Sequence, residues 1–467
     1  MSRLRHLPHP PAWAGLALLT FLGCIVGILA RPIGFLSAFW PANALLLGLL
    51  VRYPQLGQRA SSWVAGAAGF VLADLCTGSP PVMALWLNSA NMFDVAVGWL
   101  LLRRLDQPTL RLQRTTSPLY LLLAATAASA AGALVGCGAG PAYFSTPWAE
   151  MAALWFSAEL MNYLLLLPLV LAAPHADDPA PVVPARRQSS ALRAAPLAAL
   201  LAGEGIRALV GGPGALVFAV PGLLWCAMNY RIFTTSLLSA TICTWTLAAV
   251  ALGLFDLNFT PAHADEVLSL RVGVSLLALG PLAVACANAA GAETLRRLDH
   301  AVRHDGLTGA LARHALMEHG ERGLERARAD GAGMAVLMID ADHFKQINDR
   351  HGHHVGDEVL RALTRVTAAA LRPQDRLGRI GGEEFAVVLP SVSPPEAEAI
   401  AERLRSQVAA EALAFDAQGQ SLYATLSIGV AHTARMDDSV DMGRLLRAAD
   451  AALYRAKADG RNRTALA

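Results

Sequence analysis

The chain has 467 residues, too many for one ordinary core, and 54% of them are apolar while only 16% are charged. A soluble globular protein carries roughly a quarter charged residues, so this composition, with a mean hydropathy of +0.41, excludes an entirely soluble protein of ordinary make-up. A formal net charge of +2 gives no footing for nucleic acid as a partner.

The deficit of charge is uneven, with the apolar sequence confined to residues 1–290. A helix needs about 20 mostly apolar residues to cross the hydrocarbon of a bilayer. About ten segments are expected to do so: 12–30, 34–51, 61–77, 82–102, 118–138, 149–172, 194–210, 214–229, 232–254 and 269–290. No polar tail with a small-residue cleavage site follows the first, so it is expected to be retained and not removed as a signal peptide. Gly211, Gly212 and Pro213 interrupt segments 7 and 8, and a single re-entrant hairpin there would leave eight full spans with the same orientation.

Arginines mark alternate loops: Arg3 and Arg5, Arg52 and Arg59, Arg103, Arg104, Arg111 and Arg114, Arg186, Arg187 and Arg193, Arg231, and Arg296 with Arg297. The remaining loops are poor in basic residues, apart from Arg31 and Arg207 nearby. By the positive-inside rule both termini face the cytoplasm. All six cysteines lie in this apolar part without metal-like spacing, and they read as small buried hydrophobes.

Several spans carry polar groups that hydrocarbon penalises. Asn88, Asn91 and Asp94 are three apart and share one helical face. Asp74, Glu159, Asn162 and the Glu204–Arg207 pair add to them. Two readings stand: interhelical hydrogen bonds that hold the bundle together, or a pocket for a sensed ligand or ion. The stretch 33–102, with Trp40-Pro41-Ala42, resembles the membrane-associated sensor domains that precede bacterial signalling enzymes. No internal repeat supports a transporter.

Residues 291–304 contain no proline, and Leu295, Leu298 and Val302 follow the spacing of a coiled-coil seam. Either this segment extends the last span as one dimerising helix, or it packs as an amphipathic linker on the following domain.

From 305 to 467 the pattern alternates strands and helices. Strands are expected at 335–340, 376–380, 384–390 and 423–431, and helices at 359–371, 395–410 and 443–458. The fold class is therefore an all-α polytopic membrane bundle followed by an α/β domain with a mixed central sheet flanked by helices. Asp340 closes the first strand, and Gly381-Gly382-Glu383-Glu384-Phe385 stands at a hairpin tip. Glycines there let the backbone approach a ligand. Carboxylates from two strands, Asp340 and Glu383, are the usual means of holding Mg²⁺ with substrate phosphates. No phosphate-binding loop of the GxxxxGK[ST] type is present.

RIGGEEF (379–385), with DADHFKQIND (340–349), GHHVGD (352–357) and YRAKADGRNR (454–463), resembles the GGDEF family of diguanylate cyclases over 300–467. The resemblance implies that Asp340, Glu383, Glu384 and the Ala341 carbonyl hold Mg²⁺ or Mn²⁺. It makes Glu383, beside Glu384, the catalytic base. It implies that Asn348, His353 and Asp357 read the guanine of GTP, and that the backbone at Phe344 and Lys345 with the side chains of Lys457 and Arg461 clamp its phosphates. Arg372 and Asp375 stand at the spacing of the family's RxxD site, where cyclic di-GMP, the product, inhibits; a surface ion pair is the plainer alternative. A homodimer follows, since each domain holds one GTP. One departure is present: Asp305-Gly306-Leu307-Thr308-Gly309 is followed by Ala310, Leu311, Ala312 and Arg313, without the usual leucine and asparagine, which bears on the packing of that turn.

The reading is a cyclase in the bacterial cytoplasmic membrane, regulated by its membrane part (1–290) through the linker (291–304), with its GGDEF domain (305–467) in the cytoplasm. The ligand of the sensor is unknown. A receptor that binds GTP or cyclic di-GMP without turnover is the alternative; the acids at Asp340, Glu383 and Glu384 favour the enzyme.

Overall fold

A computed structural model of the protein describes residues 12–29, 39–174, 190–252, 254, 264–416, 418–433 and 440–467. Arg3, Arg5, Arg31, Arg186 and Arg187, and the start of the segment expected at 34–51, lie outside these residues. The chain divides into two units, Met1–Glu293 and Thr294–Ala467.

The first unit is helical: α1 (Ala12–Leu29), α2 (Pro41–Arg52), α3 (Ala60–Cys76), α4 (Pro81–Leu102), α5 (Ser117–Gly136), α6 (Trp148–Ala172), α7 (Ser190–Val210), α8 (Val220–Asn229), α9 (Ile232–Ala251) and the larger part of α10 (Ala264–Arg303), whose last ten residues belong to the second unit. Among the described residues five helices are long and apolar enough to cross a membrane: α4, α5, α6, Ile232–Val250 and Asp265–Arg303. Trp13–Leu29, Pro41–Arg52, Ala60–Cys76 and Gly214–Asn229 are apolar but shorter. The segment expected at 194–210 is helical yet falls in neither group, because Arg193, Glu204 and Arg207 interrupt its apolar run. A 3-10 turn, Pro213–Val217, separates α7 from α8. Four cysteines are buried, while Cys76 is exposed and Cys137 half-buried.

The polar face anticipated on α4 is buried and joined to other helices. Asn88 Nδ2 donates to Asp74 Oδ2 at 2.7 Å, and Asn91 Nδ2 to Asn88 Oδ1 at 3.0 Å. Asn43 Nδ2 reaches Asp94 Oδ2 at 2.9 Å and Asn91 Oδ1 at 3.2 Å, and Tyr163 Oη donates to Asp94 Oδ1 at 2.8 Å. Arg207, 1% exposed, pairs with Glu204 and donates to Thr246 Oγ1. Each bond replaces water that hydrocarbon cannot supply.

Helix α10 runs unbroken from Ala264 to Arg303, so the segment 291–303 continues the last apolar helix.

The second unit contains β1 (Leu311–Ala312), α11 (Arg313–Asp330), β2 (Met334–Ala341), α12 (Phe344–His351), α13 (His353–Ala369), β3 (Arg376–Gly381), β4 (Glu384–Pro390), α14 (Pro394–Ala410), β5 (Ala414–Phe415), β6 (Ser421–Leu422), β7 (Leu426–Thr433), α15 (Met442–Ala458) and β8 (Thr464–Leu466). Its six-stranded sheet has the order β1-β3-β4-β2-β7-β8. β2 is antiparallel to both β4 and β7, and all eight of its residues are buried, as the unbroken apolar run requires.

Side-chain alternation divides the core into two layers. Ala335, Leu337 and Ile339 pack with Leu360 and Leu363 of α13 and Ile400 and Leu404 of α14. Met334, Val336 and Met338 pack on the other face with Leu316 and Leu324 of α11 and Leu445 and Leu453 of α15. Asp340 has the parity of Met338, so it emerges on the face that α15 covers.

Candidate active site

Strand register assembles the acidic cluster. Asp340 is the direct partner of Glu384 on β4 and of Ser427 on β7. Ala341 N–H donates to the Glu383 carbonyl at 3.4 Å, which sets the hairpin tip beside the end of β2. Gly381 pairs with Glu384, leaving Gly382 and Glu383 as the two turn residues. Gly382 has φ +51°, a left-handed conformation that glycine adopts at no steric cost.

The tip is braced from below. Arg379 donates to the Gly382 carbonyl through Nε at 2.9 Å and Nη2 at 2.7 Å, and to Asp305 Oδ1 through Nη1 at 2.9 Å. Asp305 Oδ1 also accepts from Thr308 N at 2.9 Å and Thr308 Oγ1 at 2.7 Å. Burial works against the Asp305 carboxylate, but these bonds from Thr308 and Arg379 prevail and hold its pKa below the usual carboxylate value. The turn that lacks the customary leucine and asparagine still closes: Asp305 N–H donates to the Ala310 carbonyl at 2.8 Å.

Lys457, from α15, brings its ammonium to 2.7 Å from Asp340 Oδ2. Burial raises the Asp340 pKa first; Lys457 opposes the rise, and Glu383 and Glu384 add to it. The carboxylates of Asp340 and its strand partner Glu384, with Glu383 at the adjoining tip, offer a set of oxygen donors, the type that suits Mg²⁺ or Mn²⁺. The ammonium against Asp340 marks where such a set takes a positive charge, so the residues fit a divalent ion. Among the described residues no group of three or more His, Cys, Asp or Glu side chains is placed to hold a metal ion by itself. Mg²⁺ characteristically completes its shell with water and substrate phosphates.

Asn348, His353 and Asp357, the residues expected to read the guanine, lie just past β2, on α12 and α13, which Gly352 separates at φ +85°. α13 starts at His353, six residues before the expected Val359, because its polar first turn carries His353 and Asp357 rather than core residues. Phe344 is buried at the start of α12, while Lys345 and His353 are exposed and Asp357 is half-buried. Asn348 Oδ1 is buried with no hydrogen-bond partner among the described residues. A Cβ on Gly356 would lie 1.9 Å from that oxygen, so only glycine leaves it room.

Arg461 is exposed with φ +63°, in the turn after α15. Arg372 and Asp375 are not part of this cluster. They precede β3, whose far end carries Gly381, roughly 17 Å away along the strand. Arg372 N–H donates to Asp375 Oδ2 at 2.9 Å; Asp375 is 4% exposed and its Oδ1 has no partner among the described residues. The Arg372 side chain is exposed.

Sequence reasoning passed over Asp342, which is 3% exposed and bound to Thr425, Ser427 and the backbone of Asn462. The one available signal was a second aspartate in DADHF that no surface role explains.

The family profile described as diguanylate cyclase, GGDEF domain, matches residues 302–463. The chain is 30% identical over 453 residues to the probable diguanylate cyclase DgcF of Escherichia coli O157:H7, covering 96% of this chain and 92% of that protein. It is 42% identical over 167 residues to the diguanylate cyclase DgcM of the same strain, covering 36% of this chain and 39% of that protein. Among solved structures, the coiled coil and GGDEF domain of DgcB from Caulobacter crescentus, in complex with c-di-GMP, is 29% identical with a TM-score of 0.36; 38% of this chain and 91% of that one are covered.

Proposed function

The chain belongs to the GGDEF family of diguanylate cyclases, and from that membership we propose that it condenses two GTP molecules into cyclic di-GMP, releasing two pyrophosphates. The observation that carries the reading is the pairing of Asp340 with Glu384 at the sheet end, beside the Glu383 hairpin tip, with Lys457 already against Asp340.

In this reading each domain holds one GTP. The partnerless Oδ1 of Asn348 and the carboxylate of Asp357 accept from the guanine edge, with His353 beside them. Backbone N–H groups at Phe344 and Lys345, with the Lys457 and Arg461 side chains, meet phosphate oxygens. Glu383, beside Glu384, takes the proton of a 3′-hydroxyl as that oxygen bonds to the α-phosphorus of the other GTP. The bond from that phosphorus to pyrophosphate breaks, and a second such step closes the ring. Bound to the carboxylates, Mg²⁺ or Mn²⁺ would neutralise phosphate charge and make the hydroxyl more acidic.

Neither domain completes the reaction alone, so a homodimer is required. Leu295, Leu298 and Val302 support one, since they are 68%, 57% and 61% exposed along α10 and offer an unpartnered apolar seam. We read residues 1–290 as a sensor in the bacterial cytoplasmic membrane, 291–304 as the signalling helix and 305–467 as the cytoplasmic cyclase. Arg372 and Asp375 form a feedback site for cyclic di-GMP, its guanidinium free to meet a guanine edge or phosphate.

The test is turnover by the full-length protein in lipid nanodiscs, supplied with GTP and Mg²⁺ and read by chromatography for cyclic di-GMP and pyrophosphate. Product is expected from the wild type and none from a Glu383→Gln, Glu384→Gln double variant. GTP bound without product would sink the enzyme reading and leave a silent receptor.

A further inference from the structure

Two consecutive non-glycine residues beside the site are left-handed, Arg461 at φ +63° and Asn462 at φ +46°. Such conformations persist only where the surroundings hold them. The turn is tied down at several points. Arg461 N–H donates to the Ala456 carbonyl at 3.0 Å, the Arg463 carbonyl accepts from Ile428 N–H at 3.0 Å, and Asn462 Oδ1 accepts from Arg405 Nη1 at 2.6 Å. Among the described residues a single hydrogen bond joins the turn to the strand end that carries Asp340: Asn462 N–H donates to Asp342 Oδ2 at 3.0 Å.

Asp342 is itself immobilised. Ser427 Oγ donates to its Oδ1 at 2.7 Å, Thr425 Oγ1 to its Oδ2 at 2.7 Å, and its own N–H reaches the Thr425 carbonyl at 2.9 Å. A carboxylate offers acceptors only, so it receives all three donors at once. An amide of the same shape must turn its NH₂ towards at least one of them. The amide keeps its oxygen on Thr425 and Asn462 only if its NH₂ meets Ser427, whose own O–H then loses its acceptor; the other orientation sets N–H against N–H at Asn462.

We propose that Asp342 is a positioning residue for phosphate binding: it locks the Gly460–Asn462 turn to the end of β2 and so aims Arg461 at the nucleotide held beside Asp340. The proposal rests on the cyclase reading for the nucleotide, though not for the anchor itself. Asp342 touches no substrate; it acts through Arg461.

The experiment uses the full-length protein in nanodiscs and two readouts. Amide hydrogen exchange over residues 459–463 is compared without nucleotide in wild type and Asp342→Asn, and faster exchange is expected in the variant. Steady-state turnover is then measured for Asp342→Asn, Arg461→Ala and the double variant. Asp342→Asn is expected to lower kcat/KM on the order of tenfold, the loss of one hydrogen bond to a charged group, and chiefly through KM. Added to Arg461→Ala it should cost nothing further. Thr425→Val removes one donor to Asp342 and should give a smaller loss in the same direction, which keeps the test open if Asp342→Asn fails to fold. Unchanged exchange at 459–463, or losses that add fully in the double variant, would overturn the proposal. A wild type that makes no cyclic di-GMP would instead defeat the cyclase reading, while the exchange comparison still decides whether Asp342 anchors the turn.

Discussion

Asp94 in the helical unit and Asp340 in the α/β unit are both aspartates drawn inside a fold, and they are satisfied by different chemistry. Asp94 has no exposed surface, and neutral donors from two other helices, Tyr163 Oη and Asn43 Nδ2, meet its oxygens. Asp340 lies at the rim of a sheet, 7% exposed, and an ammonium on a flexible stem meets it. The first arrangement is closed: every donor belongs to a packed helix, and opening it leaves polar groups stranded in apolar surroundings. The second is exchangeable, because Lys457 can withdraw to water or to a phosphate and release Asp340 to another cation. A buried carboxylate is structural or functional according to what neutralises it.

Exchanging each aspartate for alanine gives the largest expected effects, and opposite ones. Asp94→Ala strands the Tyr163 hydroxyl and one of the two Asn43 amide hydrogens and should cost the helical unit about 2–5 kcal/mol, read as a lowered thermal midpoint in detergent. Asp340→Ala should leave the midpoint of the α/β unit nearly unchanged and abolish cyclic di-GMP synthesis. If Asp94→Ala left the melting intact, the closed network would not be what holds those helices.

A second pair of variants sharpens the contrast through glycine. A Cβ on Gly356 would meet Asn348 Oδ1 at 1.9 Å, and one on Gly132 would meet Asp94 Oδ2 at 2.9 Å. No bond holds Asn348 Oδ1 among the described residues, so its side chain yields, and the Phe344 ring, 3.2 Å from the new Cβ, needs only a small shift. The helix gains about 1 kcal/mol of propensity. Gly356→Ala is therefore expected to hold or raise the melting temperature while KM for GTP rises about tenfold, the loss of roughly one hydrogen bond. Asp94 is held from two sides, so Gly132→Ala should destabilise its unit by about 1–3 kcal/mol, the usual cost of overpacking. Tyr163→Phe, which leaves Asp94 its bond from Asn43, should cost only about 1 kcal/mol.

The same contrast explains what could be read from the sequence. The acidic site was legible because its parts are local in the chain: a strand ending in Asp340, then a hairpin whose two glycines announce the turn. The strand expected at 384–390 is β4 to the residue, and 335–340 falls short of β2 by one residue at each end. The strand expected at 423–431 starts at Leu426 instead, since Tyr423–Thr425 stand outside the ladder with Thr425 committed to Asp342. Asp342 itself was invisible as an anchor, its partners being 83, 85 and 120 residues away. In the helical unit, spacing put Asn88, Asn91 and Asp94 on one face, but nothing local to α4 names Asn43 or Tyr163, 51 and 69 residues from Asp94. Periodicity reports which face is buried; it does not report which groups from other helices arrive there.

The smallest expected effect separates the two units by pH. His319, on α11, has its pKa lowered by burial first and then by the positive charge of Arg376, Arg322, Arg326 and Arg303. The ordinary value is near 6.5. As pH falls below that value, the unfolded chain takes up a proton that the folded unit resists, so stability drops; above about pH 7 this contribution is constant. The midpoint of the α/β unit should therefore slope downwards between about pH 7 and 5, and His319→Gln should flatten part of that slope while leaving the midpoint at pH 8 in place. The helical unit has no histidine among its described residues, His6, His9, His175 and His263 lying outside them. The His319→Gln substitution should not move its transition at any pH. A slope that survived His319→Gln unchanged would mean that the four arginines are screened from the ring, and that the α/β unit takes its acid sensitivity from another group.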